Sequence, residues 1–120
     1  MYTLKIKRIY EEATEEDGYR ILVDRLWPRG ISKEKAQLDE WLKDIAPSTE
    51  LRKWFGHEAA RAKEFARRYQ LELKEKTAEL SHILSVLEKQ NVTLLFAAKT
   101  AELSQAIILQ EMLNHAIAKK

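Results

Sequence analysis

The sequence predicts an α/β fold: one domain over residues 1–120, three layers, with a small mixed, mostly parallel sheet of about four strands flanked by helices. Three observations predict it. Leu4-Lys5-Ile6-Lys7-Arg8-Ile9 alternates apolar and basic residues, the period of a half-buried strand. Val92 to Ala98, apolar except for Thr93, is a run suited to a sheet centre. The last three strands are separated by stretches long enough for parallel crossovers, the longest of them carrying apolar residues at helical spacing.

After the first strand, a polar link ends in the turn dipeptide Asp17-Gly18, and Tyr19 to Asp24 reads as a second, more deeply buried strand. The link has only nine residues (10–18), which predicts antiparallel neighbours, since a parallel crossover usually takes a dozen or more. Pro28 and Gly30 forbid regular structure over 25–30, and Ser32 can cap a turn of helix over the residues that follow. Residues 38–46 fit either period, and a short strand near 41–45 is expected because Pro47-Ser48 starts a helix directly afterwards. Ser48 as cap and Gly56 as stop bracket that helix. A second helix opens near Glu58 with Ala62, Phe65, Ala66, Tyr69 and Leu73 on one side. Leu80, Ile83, Leu84 and Leu87 continue the pattern, either unbroken or restarted with Thr77 as cap. Thr100 is expected to cap a final helix over 102–118.

The composition closes several routes. With no cysteine there is no disulfide, thiolate metal site or cysteine nucleophile. His57, His82 and His115 lie at no metal-ligand spacing, so no metal is expected. The three glycines form neither a dinucleotide fingerprint nor a phosphate loop, and no Gly-x-Ser-x-Gly elbow is present, so no cofactor is expected. No apolar segment of signal-peptide length follows Lys5, Lys7 and Arg8, and the longest purely apolar run, Leu94 to Ala98, is far short of the ~20 residues that span a bilayer. The expectation is a cytoplasmic protein with no membrane contact.

Charges nearly cancel at +2 but are segregated. Residues 11–17 hold five acids and no base, a solvated acidic loop on the plain reading. Residues 20–35 hold five bases, including Arg20, against two acids. In parallel sheets, ligands bind beyond the carboxyl ends of the strands. Three segments are expected to gather there: Asp24-Arg25-Leu26-Trp27-Pro28-Arg29-Gly30, Pro47-Ser48-Thr49 and Lys99-Thr100. Arg25, Arg29 and Lys99 supply charge, Ser48 and Thr100 stand at helix starts with free N–H groups, and Trp27 or Trp54 offers a flat wall. The result is a predicted pocket for a small anion, with Asp24 and His57 as the groups able to move a proton.

The same motifs, with Trp41 to Ser48, Leu51 to His57 and Val92 to Lys99, resemble the YeaO-like family over essentially the whole chain. The resemblance implies a small α/β protein and carries over Asp24, Arg25, Trp27, Arg29, Pro47, Ser48, Trp54, His57 and Lys99. It implies no established reaction. Where relatives show an Asp and then an Asn-His pair after the Ala-Ala-Lys motif, this chain has Thr100, Ser104 and Gln105. If those groups do chemistry in relatives, this chain is a binding-only or altered-substrate member.

The expected partner is a small anionic metabolite of phosphate or nucleotide type, bound or turned over. Two alternatives compete with it. One is nucleic-acid association through the Arg20–Lys35 patch. The other is a non-catalytic partner-binding or homo-oligomer module, using Ile107, Ile108 and Met112 on helix 102–118.

Overall fold

The computed structural model describes residues 2–99 and 104–119. Strands β1 (Leu4–Arg8), β2 (Tyr19–Leu22), β3 (Glu40–Trp41) and β4 (Val92–Phe96) form one sheet in the order β1-β4-β2-β3. The α/β class is as expected, and every strand pair is parallel. Leu4 to Arg8 lie opposite Val92 to Phe96 on one side of β4, and Tyr19 to Leu22 lie opposite Val92 to Leu95 on the other. The first two strands are therefore neither antiparallel nor adjacent, because β4 inserts between them. Residues 9–18 complete the crossover with no α-helix, only a 3₁₀ turn at Glu15–Asp17. Seven extended residues and one such turn still reach roughly 29 Å, whereas the return along β1 and across two strand spacings needs only about 20 Å.

Around this sheet the helices are α1 (Lys33–Ala36), α2 (Thr49–Phe55), α3 (Ala62–Leu73), α4 (Thr77–Leu87) and α5 (Gln105–Ala118). The three layers are unequal. Ile21, Val23, Leu94 and Phe96 pack beneath Phe55, Phe65, Tyr69, Leu73, Ile83 and Leu109, so α2 to α5 all cover one face. The opposite face has Ile9, Leu22 and Leu95 under Ala36, Trp27 and Trp41, with α1 its only α-helix among the described residues.

Several boundaries differ from the sequence expectation. β3 stops at Trp41, and a 3₁₀ turn follows at Lys43–Ile45, placing the expected strand over 41–45 mostly outside the sheet. The turn buries Ile45, whose carbonyl accepts the Tyr69 hydroxyl at 2.6 Å. α3 and α4 are separate, and Thr77 is the first residue of α4, not its cap. α5 begins at Gln105 with Ser104 as its cap, Ser104 Oγ accepting the Ala106 N–H at 3.0 Å. The expected cap Thr100 lies outside the described residues. Ile108 is buried, and Ile107 and Met112 pack against the same core, so the wide apolar face of α5 is largely used within the chain.

Two charged groups read from sequence as solvated are interior. Asp17 is fully buried, its carboxylate reached by Lys7 at 3.1 Å, Lys5 at 3.3 Å and Arg20 at 2.6 Å, with the Thr14 N–H at 3.1 Å. Arg20 is 4% exposed and spends its other donors on the Ala36 and Gln37 carbonyls. The expected Arg20–Lys35 basic patch thus loses its first member to the core. The strand Tyr19–Leu22 turns Arg20 to the side where Lys5 and Lys7 lie, and one buried carboxylate serves all three cations. Gly18 then has to be glycine. Its φ is +63°, and a Cβ there would overlap the Asn91 carbonyl, which accepts the Tyr19 N–H.

The exposed side of β1 is blocked at both ends. Gln110 donates to the Leu4 carbonyl at 3.0 Å, and Glu11 accepts the Arg8 N–H at 3.0 Å, which limits pairing with another strand. Among the described residues no helix is long and apolar enough to cross a membrane.

Candidate functional site

The chain leaves β2 toward α1 on one face of the sheet and leaves β4 toward α5 on the other. Neighbouring strands whose exits diverge this way open a crevice at their carboxyl ends. A cleft of about 790 Å³ lies there. Asp24, Arg25, Trp27, Arg29, His57 and Lys99, six of the nine side chains singled out from sequence, line it together.

Asp24 joins the two lips. Val23 makes a ladder bond to the Leu95 carbonyl at 3.0 Å, and one residue further the Asp24 side chain takes over by accepting the Ala97 N–H at 2.9 Å. Its other oxygen accepts the Gln105 side-chain amide, which also donates to the Val23 carbonyl. Its backbone carbonyl accepts the Trp41 indole N–H at 2.7 Å. Burial pushes the Asp24 carboxyl above its ordinary value, while these hydrogen bonds and the charges of His57 and Arg52 restrain the rise.

That shift has a sign that can be tested. A carboxyl raised in the folded state works against folding once ionised, so its contribution falls as pH rises from the ordinary value of 3.8 through the raised one. Asp24→Asn is expected to remove this slope and to leave stability at neutral pH within about 1 kcal/mol of the parent. Asp24→Ala should cost about 1–3 kcal/mol by stranding the Ala97 N–H. Urea unfolding of both variants between pH 4 and 8 checks this, and a parental pH slope in Asp24→Asn would refute the assignment.

The other lining groups divide into held and unpaired. Arg25 is held: it donates to the Pro47 and Ala46 carbonyls, both at 3.1 Å, and so fixes the loop before α2. Trp27 donates its indole N–H to the Ile31 carbonyl at 2.9 Å and packs edge-on to Trp41, with ring centres 5.4 Å apart. Arg8 donates to the Ala98 and Ala97 carbonyls and so anchors the segment that presents Lys99. The Tyr10 hydroxyl similarly holds the Arg29 carbonyl at 2.7 Å. Among the described residues, the side chains of Arg29, Arg52 and Lys99 have no hydrogen-bond or ion-pair partner, and all three are exposed. His57 stands beside them at φ +58°, an uncommon backbone state for a residue with a Cβ, its ring 5.8 Å from Phe55.

Two expectations are corrected. Ser48 does not line the cleft: its N–H and hydroxyl donate to the two carboxylate oxygens of Glu72, at 2.8 and 2.6 Å, and its oxygen caps the Leu51 N–H. The Ser48 and Leu51 N–H groups at the start of α2 are thereby taken up by protein groups. Trp54 is no wall, because its ring lies beneath Arg61 and Arg68. Thr100 lies outside the described residues. Sequence reasoning missed Arg52, Phe55 and Phe65, which form the α2–α3 side of the cleft, the two Phe rings stacked 4.1 Å apart. A signal existed for Arg52, which sits three residues before Phe55 and so shares its flank of the helix.

Comparison with known proteins gives these motifs a context. A family model described as "Inactive DUF488-N3 subclade" matches residues 3–120. The chain is 46% identical over 111 residues to a protein of Escherichia coli named "Uncharacterized protein YeaO", which covers 92% of this chain and 96% of that one. The chain belongs to the YeaO-like family. Relatives in Mycobacterium bovis and Mycobacterium tuberculosis, also named as uncharacterized proteins, are each 40% identical over 111 residues, 92% of this chain and 93% of theirs. No solved structure gives a significant match. Within the YeaO-like pattern, the strand-end motif Asp24 to Gly30 and the Val92 to Lys99 motif are the two segments that meet across the cleft. The departures at Ser104 and Gln105 fall where α5 meets it, with Gln105 serving as the amide clamp on Asp24.

Proposed function

We propose that the cleft binds a small phosphate-bearing metabolite of nucleotide type, and that this chain binds it without turning it over. The observation that carries the reading is the convergence of Arg29, Arg52 and Lys99, whose side chains make no hydrogen bond or ion pair among the described residues, on a cleft walled by Trp27, Phe55 and Phe65. Cations without partners suit a phosphate, and flat apolar walls suit a ring system. Binding without catalysis draws support from Asp24, whose two oxygens are engaged by Ala97 and Gln105. Gln105 is a neutral amide at a place where the family resemblance implies a histidine, and the word "inactive" in the family description agrees.

Thermal unfolding against nucleotides, sugar phosphates and organic acids tests the reading. A ligand at 100 times its Kd adds about 2.7 kcal/mol, which moves the midpoint by roughly 10 °C for a chain of this length. Nucleoside monophosphates are expected to shift the midpoint, unphosphorylated nucleosides are not, and no bond in a bound nucleotide is expected to break during long incubation. A flat response across phosphorylated compounds would remove the reading.

A further inference from the structure

The wall that α2 and α3 give to the cleft has a second, outer side that is strongly basic. Between positions 49 and 68 stand Arg52, Lys53, Arg61, Lys63, Arg67 and Arg68 against Glu50, Glu58 and Glu64, an excess larger than that of the whole chain. Arg52 faces the cleft, and Lys53 follows about 100° further round α2, exposed. Beyond it, Arg61 donates to the Trp54 carbonyl at 2.6 Å with its guanidinium 5.4 Å from the Trp54 ring centre, and Arg68 lies over the same ring at 4.2 Å. Arg68 is steadied further by Glu64 at 2.8 Å. One indole therefore organises two guanidiniums from different elements. Ordered guanidiniums lose less freedom when they take up phosphate oxygens in their planar fork.

We propose that this outer face is a track for the phosphate backbone of a single-stranded nucleic acid whose terminal nucleotide occupies the cleft. The proposal rests on the reading of the cleft given above and names the source of its nucleotide. Arg52 in the cleft and Lys53 next to it on α2 join the track to the cleft. The cleft, about 790 Å³, has room for a terminal nucleotide. The track has cations but no uncovered aromatic ring, since Trp54 is occupied by arginines. Recognition along it is of the backbone and indifferent to base sequence.

The test compares a nucleoside monophosphate with a labelled oligonucleotide of about eight residues carrying a terminal phosphate at the unlabelled end, in both polarities. The oligonucleotide is expected to bind at least tenfold more tightly. Its log affinity against log salt should have a slope near −2, from about three backbone phosphates at ~0.7 each. Arg61→Ala with Arg68→Ala should shallow that slope by about 1.4 and abolish the advantage, with affinity for the monophosphate unchanged. Lys53→Glu, at an exposed position, should weaken only the oligonucleotide and serves where the double variant unfolds. If the monophosphate binds but the oligonucleotide binds no tighter, or polyglutamate competes equally well, the track is refuted and the cleft reading stands. If neither nucleotide form binds, both fall.

Discussion

Replacing Asp17 by Ala is expected to lower the stability of the chain by about 3–5 kcal/mol, the usual effect of removing one partner from a buried charge cluster. On thermal unfolding the midpoint should fall by roughly 10–20 °C. The cost comes from what stays behind. Arg20 is 4% exposed and Lys7 15%, so neither can recover full hydration once the carboxylate they share is gone. The Thr14 N–H loses its acceptor as well. Asp17→Asn keeps an acceptor and should still be costly, because the charge is what three cations face. Asp17→Ala combined with Arg20→Met should recover part of the loss, since the stranded guanidinium leaves with its partner. Denaturant unfolding of the four proteins gives the coupling, and strict additivity would show that the pair does not act as a unit. The pH dependence follows from the same contacts. Burial alone would push the Asp17 carboxyl up, but the Thr14 N–H and the Lys7, Lys5 and Arg20 side chains outweigh it and hold the group well below the usual carboxylate range. A carboxyl lowered in the folded state contributes fully above its ordinary value of 3.8, and that contribution is lost as pH falls below it. Acid unfolding below about pH 4 should therefore weaken in Asp17→Asn.

Asp17 also shows where sequence reading stops. Five acids in seven residues look like a solvated run, and four of them are. The clue that one turns inward lay elsewhere: Lys5 and Lys7 share a face of β1 by their spacing, and Arg20 interrupts an otherwise apolar strand. A charge inside a buried strand requires a partner, and the nearest carboxylate in sequence is three residues away. Local signals did place β1, β2 and β4, and the Ser48 and Gly56 boundaries of α2. Each of these rests on periodicity, a capping side chain or a positive φ, which are properties of a few adjacent residues. Strand order was illegible because it depends on β4, some seventy residues downstream, inserting between the first two strands.

The candidate site was legible to the extent that parallel strands share a carboxyl edge. Once Asp24 to Gly30 and Lys99 are assigned to strand ends, their meeting follows from the sheet. Individual roles did not follow. Ser48 reads as a helix cap with a free helix start behind it, yet Glu72, on another helix, takes both its donors. Arg25 and Arg29 look alike in sequence, four residues apart in one motif. The structure separates them: one is bonded to two loop carbonyls, and the other has no partner among the described residues.

That separation sets the largest effect expected at the cleft. Arg29→Ala and Lys99→Ala should each weaken a nucleoside monophosphate by about 10- to 100-fold, since a charge-assisted hydrogen bond contributes about 1.5–3 kcal/mol. Both side chains are exposed and make no internal bond, so the stability of either variant should stay within about 0.5 kcal/mol of the parent. Arg25→Ala should behave differently, losing affinity and stability together, because the Ala46 and Pro47 carbonyls lose their donors and the loop that shapes the cleft is released. Calorimetric titration alongside denaturant unfolding distinguishes the two classes of arginine. Unaltered affinity in the Arg29→Ala/Lys99→Ala double variant would show that whatever binds this chain does not bind through these cations. The Arg25 result then acquires its meaning: a fall in affinity there, with Arg29 and Lys99 silent, would trace to the shape of the cleft alone and not to its charge.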